Sequence, residues 1–204
     1  MSDLKVVIAG GSGFIGQTLA RALDSRGYRV VLLTRNAKRF QGQGTAVEWD
    51  GKSLAGQWPR LLEGVVSVVN LAGKSVNCRY TAANRKEIDD SSVDSTRVIA
   101  EAISQCARPP GSWIQAGSLA IYGDSGDQVC DEHTPPGTGC PVETCLKWEA
   151  AFREREVTPT RQVLFRIGFV LQAGQGALAT LEGITRLYLG GRAASSSAGS
   201  TTRT

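Results

Sequence analysis

The sequence predicts an α/β protein built as a doubly wound parallel sheet with helices on both faces. Three observations carry that expectation. Short β-branched apolar runs recur along the chain without polar alternation, as in strands buried on both faces. Helical stretches with an apolar stripe separate them. The first run ends in a glycine-rich turn that opens directly into a helix.

The elements follow in order. Lys5–Ala9 is the first strand, and Gly10-Gly-Ser-Gly13-Phe-Ile-Gly16 follows at once. Phe14, Ile15, Thr18, Leu19, Ala22 and Leu23 then recur at helical spacing, and Gly27 closes that helix. Arg29–Thr34 is a second buried strand, and Ala46–Trp49 a short third one. Val65–Leu71 is a fourth. Thr81–Cys106 has helical periodicity with Val93, Ile99, Ala102 and Ile103 apolar, and Pro109-Pro110 stops it. Ser112–Ala116 is a fifth strand, Pro141–Glu156 a helix with proline in its first turn, Gln162–Val170 a sixth strand, and Ala177–Leu189 a last helix. Strands alternating with helices imply a parallel sheet with right-handed crossovers. One domain is expected over 4–191. The stretch 192–204 has no large apolar residue and no acid, so it is expected to be a disordered tail.

Composition excludes several classes. The net charge of +4 is mild, and no basic run carries interleaved aromatics, which argues against nucleic acid. No apolar run is long enough for a bilayer, and no signal peptide is visible, so no membrane role is expected. The five cysteines form no C-x-x-C pair, and His133 is the single histidine, which argues against zinc. An odd cysteine count without pairing logic suggests reduced thiols and a cytoplasmic protein.

The chemistry sits where strands end. In the glycine turn, Gly10 permits the tight bend, Gly13 lets a pyrophosphate approach the backbone, and Gly16 is expected to let the helix pack on the strand. The helix start adds free N–H groups and partial positive charge. The candidate phosphate cradle is Gly10, Ser12, Gly13, Phe14, Ile15 and Gly16. At the end of the second strand an NAD site wants a carboxylate for the ribose 2′-hydroxyl. Here Thr34-Arg35-Asn36 stands instead, and Arg35 can pair with a 2′-phosphate, so NADP is expected over NAD. Leu71, Ala72 and Gly73 close the fourth strand, where glycine lets backbone lie close to the cofactor. Asp50 is either an acceptor for the adenine amino group or a simple loop carboxylate. Ser118 and Tyr122 stand on the same carboxyl edge of the sheet, where ligands of open α/β folds bind.

Taken together, the glycine turn, Asn70-Leu-Ala-Gly73 and Ser118-x-x-x-Tyr122-Gly123 resemble the extended short-chain dehydrogenase/reductases of the epimerase/dehydratase type, with a Rossmann-type fold. The finer likeness is to an atypical "epimerase family" branch. It rests on Arg79-Tyr80-Thr81 with Lys86 and Ser91, on Asp131-Glu132 with Pro135-Pro136, on Cys145-Leu-Lys-Trp148-Glu149, and on Arg166-Ile-Gly168-Phe-Val-Leu171. The resemblance implies that Ser118 steadies a substrate carbonyl. The superfamily's general acid is the tyrosine of a Tyr-x-x-x-Lys pair, which this sequence lacks, as the atypical branch does. Departures from the branch are Lys74 for its glutamate, Ser92 for its arginine, and Ile121-Tyr122 for its paired tyrosines. The likeness ends near Gly191, so the substrate domain is expected to be largely missing.

Two functions follow as expectations. One is an NADP(H)-dependent oxidoreductase or epimerase-like enzyme acting on an unidentified small molecule, with Ser118 and Tyr122 as catalytic candidates. The other is a non-catalytic dinucleotide-binding module that senses redox state or meets a protein partner. The sheet edge left by a missing strand also favours self-association.

Overall fold

The computed structural model describes residues 4–186 and 199–201. They fall into two compact units, Met1–Gly117 with Leu146–Phe165, and Ser118–Cys145 with Arg166–Thr204.

The first unit is organised by a six-stranded sheet. Its strands are β1 (Lys5–Ala9), β2 (Arg29–Thr34), β3 (Thr45–Glu48), β4 (Ser67–Asn70), β5 (Ser112–Ser118) and β6 (Arg161–Ile167), in the order β3-β2-β1-β4-β5-β6. Every pairing from β3 to β5 is parallel. The register aligns the strand ends: Ala9 stands beside Leu33 and Asn70, Asn70 beside Gln115, and Thr34 beside Glu48. The residues that follow leave the sheet together along one carboxyl edge.

Alternate residues of the central strands feed two cores, one on each face. Val7, Ala9, Val31, Leu33 and Val68 pack with Val98, Ile99, Ala102 and Ile103 of α2 (Ala82–Ser104) and with Trp49, Trp58 and Trp113. Val6, Ile8, Val30, Leu32 and Val69 pack with Leu19, Ala20 and Leu23 of α1 (Phe14–Asp24). Both helices have physical starts and stops. Thr81 caps α2 by accepting from the Asn84 N–H at 3.2 Å, and the helix ends before Pro109-Pro110. Trp113 meets Phe152 of α3 (Cys140–Arg153) edge to face, with ring centroids 4.6 Å apart.

The glycine turn differs from expectation in one respect. A Cβ at Gly16 would lie 2.5 Å from the Gly11 Cα, so the nearest contact of the first turn of α1 is the glycine turn's own backbone. It is Gly11 that meets a strand, its absent Cβ falling 2.3 Å from Leu32 Cδ2 of β2.

In the second unit the expected strand 162–170 is interrupted. β6 ends at Ile167, and Phe169–Gln172 forms a separate strand, β7. β7 pairs in parallel with β8 (Gly199–Thr201), which falls in the stretch expected to be a disordered tail. The rest of 192–204 lies outside the described residues, as does the predicted helix beyond α4 (Gly176–Arg186). Pairing with a different strand is the reason that one apolar run becomes two elements.

The glycine contacts make a stability prediction. Gly16→Ala forces a methyl into backbone that cannot yield, and should cost about 1–3 kcal/mol, the usual range for overpacking. Gly13→Ala meets nothing nearer than the Gly10 carbonyl oxygen at 3.4 Å and should cost far less. Urea denaturation of the two variants checks the contrast.

Candidate functional site: a cleft at the carboxyl edge of the sheet

The edge is concave. The first unit holds a cleft of about 1180 Å³, above the usual range for small-molecule sites. Gly10, Ser12 and Gly13 form its centre. Gly10 has φ +72°, and a Cβ there would strike the Leu71 oxygen at 2.7 Å and the Ala72 nitrogen at 2.8 Å. The loops after β1 and β4 therefore touch backbone to backbone. Gly13 precedes α1 with no side-chain cap, and the first turn carries no acid. The first helical bond runs from the Gln17 N–H to the Gly13 carbonyl at 2.9 Å, which leaves the N–H groups of Phe14, Ile15 and Gly16 ahead of the ladder. Phe14, Ile15 and Gly16 are not among the residues that line the cleft. Open space above Gly13 and an uncapped helix start suit a phosphate anion.

One end of the cleft lies over β2 and β3. Arg35 lines it, exposed. Thr34 Oγ1 donates to Ser12 Oγ at 3.3 Å and ties this edge to the glycine turn. Asp50 lines the same end, and its carboxylate is engaged by its own loop. Oδ1 accepts from the Lys52 and Ser53 N–H groups, both at 2.9 Å, and Oδ2 from the Ser53 hydroxyl at 2.6 Å. The Ser53 hydroxyl first, and then the Lys52 N–H, hold the Asp50 pKa down at about 2. Trp58 Nε1 donates to the Ser53 carbonyl at 3.2 Å, which anchors the loop to the core.

The other end lies over β4. Leu71, Ala72 and Gly73 line it. A Cβ at Gly73 would approach Ser92 Oγ to 3.3 Å. The wall is one stripe of α2: Glu87, Asp90, Ser91, Asp94 and Ser95. Lys74 bridges loop and helix. Its N–H donates to Ser91 Oγ at 2.8 Å, and its ammonium donates to Asn84 Oδ1 at 2.8 Å and pairs with Glu87.

Ser118 and Tyr122 belong to the second unit. Ser118 Oγ accepts from the Ala120 N–H at 3.1 Å, capping the short 3₁₀ turn Leu119–Tyr122. The Tyr122 hydroxyl donates to the Asp131 carbonyl at 2.7 Å and accepts from Arg166 Nη1 at 2.7 Å. The Arg166 guanidinium also lies 5.3 Å from the centre of the Tyr122 ring. Among the described residues no group of His, Cys, Asp and Glu is placed to hold a metal, and no helix is long and apolar enough to cross a membrane.

The family model of the NAD dependent epimerase/dehydratase family matches residues 6–143, which include every residue lining the cleft and both hydroxyl positions. The chain belongs to that family. It is similar to epimerase family protein SDR39U1 of Bos taurus, 34% identical over 92% of this chain and 62% of that protein. It is also similar to epimerase family protein Mb2239 of Mycobacterium bovis, 32% identical over 94% of this chain and 62% of that protein. The crystal structure of human SDR39U1 (isoform 2) with NADPH superposes with a TM-score of 0.77, at 32% identity over 92% of this chain and 61% of that one. The chain thus spans about three fifths of the family members it matches.

Within the family fold, several lining residues were not anticipated from sequence. Glu48 and Lys52 reach the cleft because β3 aligns beside β2, a register no sequence pattern announces. The α2 stripe did leave a signal. Glu87, Asp90, Ser91, Asp94 and Ser95 recur at the 3–4 spacing of a single helical face, polar throughout.

The Asp50 loop gives a pH prediction. A carboxyl depressed from 3.8 to about 2 keeps its loop bonds above its ordinary pKa and loses them as pH falls through about 2. Carboxyl-carbon NMR should show Asp50 titrating near that lower value. Ser53→Ala should move the midpoint back toward 3.8, because it removes the largest cause.

Proposed function

We propose that this chain binds a nicotinamide dinucleotide in the cleft, NADPH in preference to NADH, and that it is the cofactor-holding part of an oxidoreductase or epimerase-like enzyme. The observation that carries this is the uncapped start of α1 beside the open face of Gly13, with Arg35 at one end of the same cleft. The pyrophosphate would lie on the helix start, with the 2′-phosphate against Arg35. NADPH in the human relative's structure supports the same choice. Glu48 lines the same end and opposes a 2′-phosphate, whereas Lys52 favours one. The bound nicotinamide would supply hydride transfer to or from a small-molecule substrate. Ser118 would then offer its hydroxyl to a substrate carbonyl.

A second function, a non-catalytic binding module, is favoured by one observation. The Tyr122 proton is already given to the Asp131 carbonyl, and its oxygen already accepts from Arg166. A hydroxyl so engaged is a poor proton donor to substrate, and the Tyr-x-x-x-Lys pair is lacking. We further propose a cytoplasmic setting, supported by five free cysteines. Self-association is proposed through β6, the last strand of the sheet among the described residues, with Phe165 exposed.

Fluorescence titration tests the cofactor. NADPH should bind about ten- to hundredfold more tightly than NADH, as one charge-assisted contact of about 1.5–3 kcal/mol implies. Arg35→Asp should reverse the order, and equal affinities in the native chain would refute it. A screen of carbonyl compounds and nucleotide sugars with NADPH separates the two functions: turnover lost in Ser118→Ala establishes the enzyme.

A further inference from the structure

Beneath the β4 end of the cleft lies a chain of buried amides that the cofactor contacts do not use. Asn70 and Gln115 are fully buried and stand side by side in the parallel register of β4 and β5. Gln115 Nε2 donates to the Ala116 carbonyl at 3.0 Å, which turns its Oε1 toward Asn70. Asn70 Nδ2 donates to that Oε1 at 3.0 Å and to Ser95 Oγ at 3.4 Å. Asn70 Oδ1 is then the atom that faces the loop, and it accepts from the Ala72 N–H at 3.0 Å. Ser95 Oγ is itself oriented by donating to the Ser92 carbonyl at 3.1 Å.

The polarity of this chain is what matters. An Asn amide presents one acceptor and one pair of donors. If Asn70 turned over, its NH₂ would meet the Ala72 N–H, donor against donor, and its oxygen would meet the oxygen of Gln115. Gln115 forbids that state, because its own amide is held by the Ala116 carbonyl. Ala72 in turn lines the cleft and lies against Gly10, whose absent Cβ would fall 2.8 Å from the Ala72 nitrogen. The height of the cleft floor over β4 therefore traces back to a side chain on β5 that never reaches the cleft.

We propose that Gln115 is a positioning residue for the dinucleotide: acting through Asn70, it holds the Leu71–Gly73 backbone where the nicotinamide half of the ligand lies. This rests on the cofactor assignment above. The sheet order β3-β2-β1-β4 then divides the ligand, with its 2′-phosphoadenosine half over β2 and β3 and its nicotinamide half over β4. Loss of the amide chain should weaken only the second half.

The test compares NADPH with adenosine 2′,5′-bisphosphate, which carries the first half alone, by calorimetric titration. Gln115→Leu should weaken NADPH about tenfold, the scale of one buried hydrogen bond, and leave the bisphosphate unchanged. Gln115→Glu is nearly isosteric and guards against a variant that does not fold. Protonated, its carboxyl repeats the amide's donor and acceptor. Ionised, it loses the donor to the Ala116 carbonyl. Its NADPH affinity should therefore match the native chain at about pH 6 and fall toward about pH 9, since burial raises a carboxyl pKa. The native chain should show no such fall. Unchanged NADPH affinity in both variants, or equal weakening of both ligands, would overturn the proposal. A native chain that binds neither ligand would overturn the cofactor assignment, and this inference with it.

Discussion

The approach of Gly10 to the Leu71–Ala72 peptide sets the geometry of the whole carboxyl edge. Two loops from neighbouring strands meet there with no side chain between them, because a Cβ at Gly10 would overlap backbone atoms below 3 Å. The contact is possible only while β1 and β4 hold their parallel register, in which Ala9 stands beside Asn70. It also fixes where α1 begins, since the Gly13 N–H donates back to the Gly10 carbonyl at 3.1 Å. Gly16 against Gly11 repeats the device one turn later. The part of the cleft beside the helix start is thus a product of backbone packing, and side chains line its two ends.

Polar groups are buried beneath this edge, in contrast to the apolar strands that lead to it. Asn70, Gln115, Ser95 and Thr96 are all essentially inaccessible, yet each has hydrogen-bond partners. Trp148 joins the set by donating from Nε1 to Thr96 Oγ1 at 3.0 Å. An unpaired buried amide costs about 1–3 kcal/mol, so such a chain is stable only when every member is satisfied. It therefore has a single arrangement, which an apolar core of similar volume would not impose. Helix α2 serves both sides of this boundary. Ile88, Ile99 and Ile103 enter the core, while Glu87, Asp90 and Asp94 face the cleft.

Charge is distributed unevenly along the cleft. The β2–β3 end carries Arg35 and Lys52 beside Glu48 and an Asp50 bound by its own loop. At the β4 end Lys74 is held by Asn84 and Glu87, and Asp90 by Lys86 at 2.6 Å. Lys74 was notable in the sequence as a cation where the resemblance implies a glutamate. Its partner on α2 gives that exchange a physical setting, an ion pair between the β4 loop and the helix wall. Such a partly exposed pair contributes little to stability, and its effect falls on the charge that a ligand meets.

The sequence by itself determined the fold class, the glycine turn, Leu71–Gly73 as cleft backbone, and the family. Each is local: a β-branched run, a helical period or a glycine at a strand end declares itself within a few residues. It did not determine what Gly16 packs on, where the run 162–170 divides, or that Glu48 and Lys52 share the cleft with Arg35. It singled out Ser118 and Tyr122 as hydroxyls on a strand edge, but not that Arg166 and the Asp131 carbonyl engage Tyr122. Nor did it pair Asn70 with Gln115, forty-five residues apart. These outcomes depend on strand register and on contacts between distant segments. A register shift of one residue sends every side chain to the opposite face, and no local pattern encodes which neighbour a strand will meet.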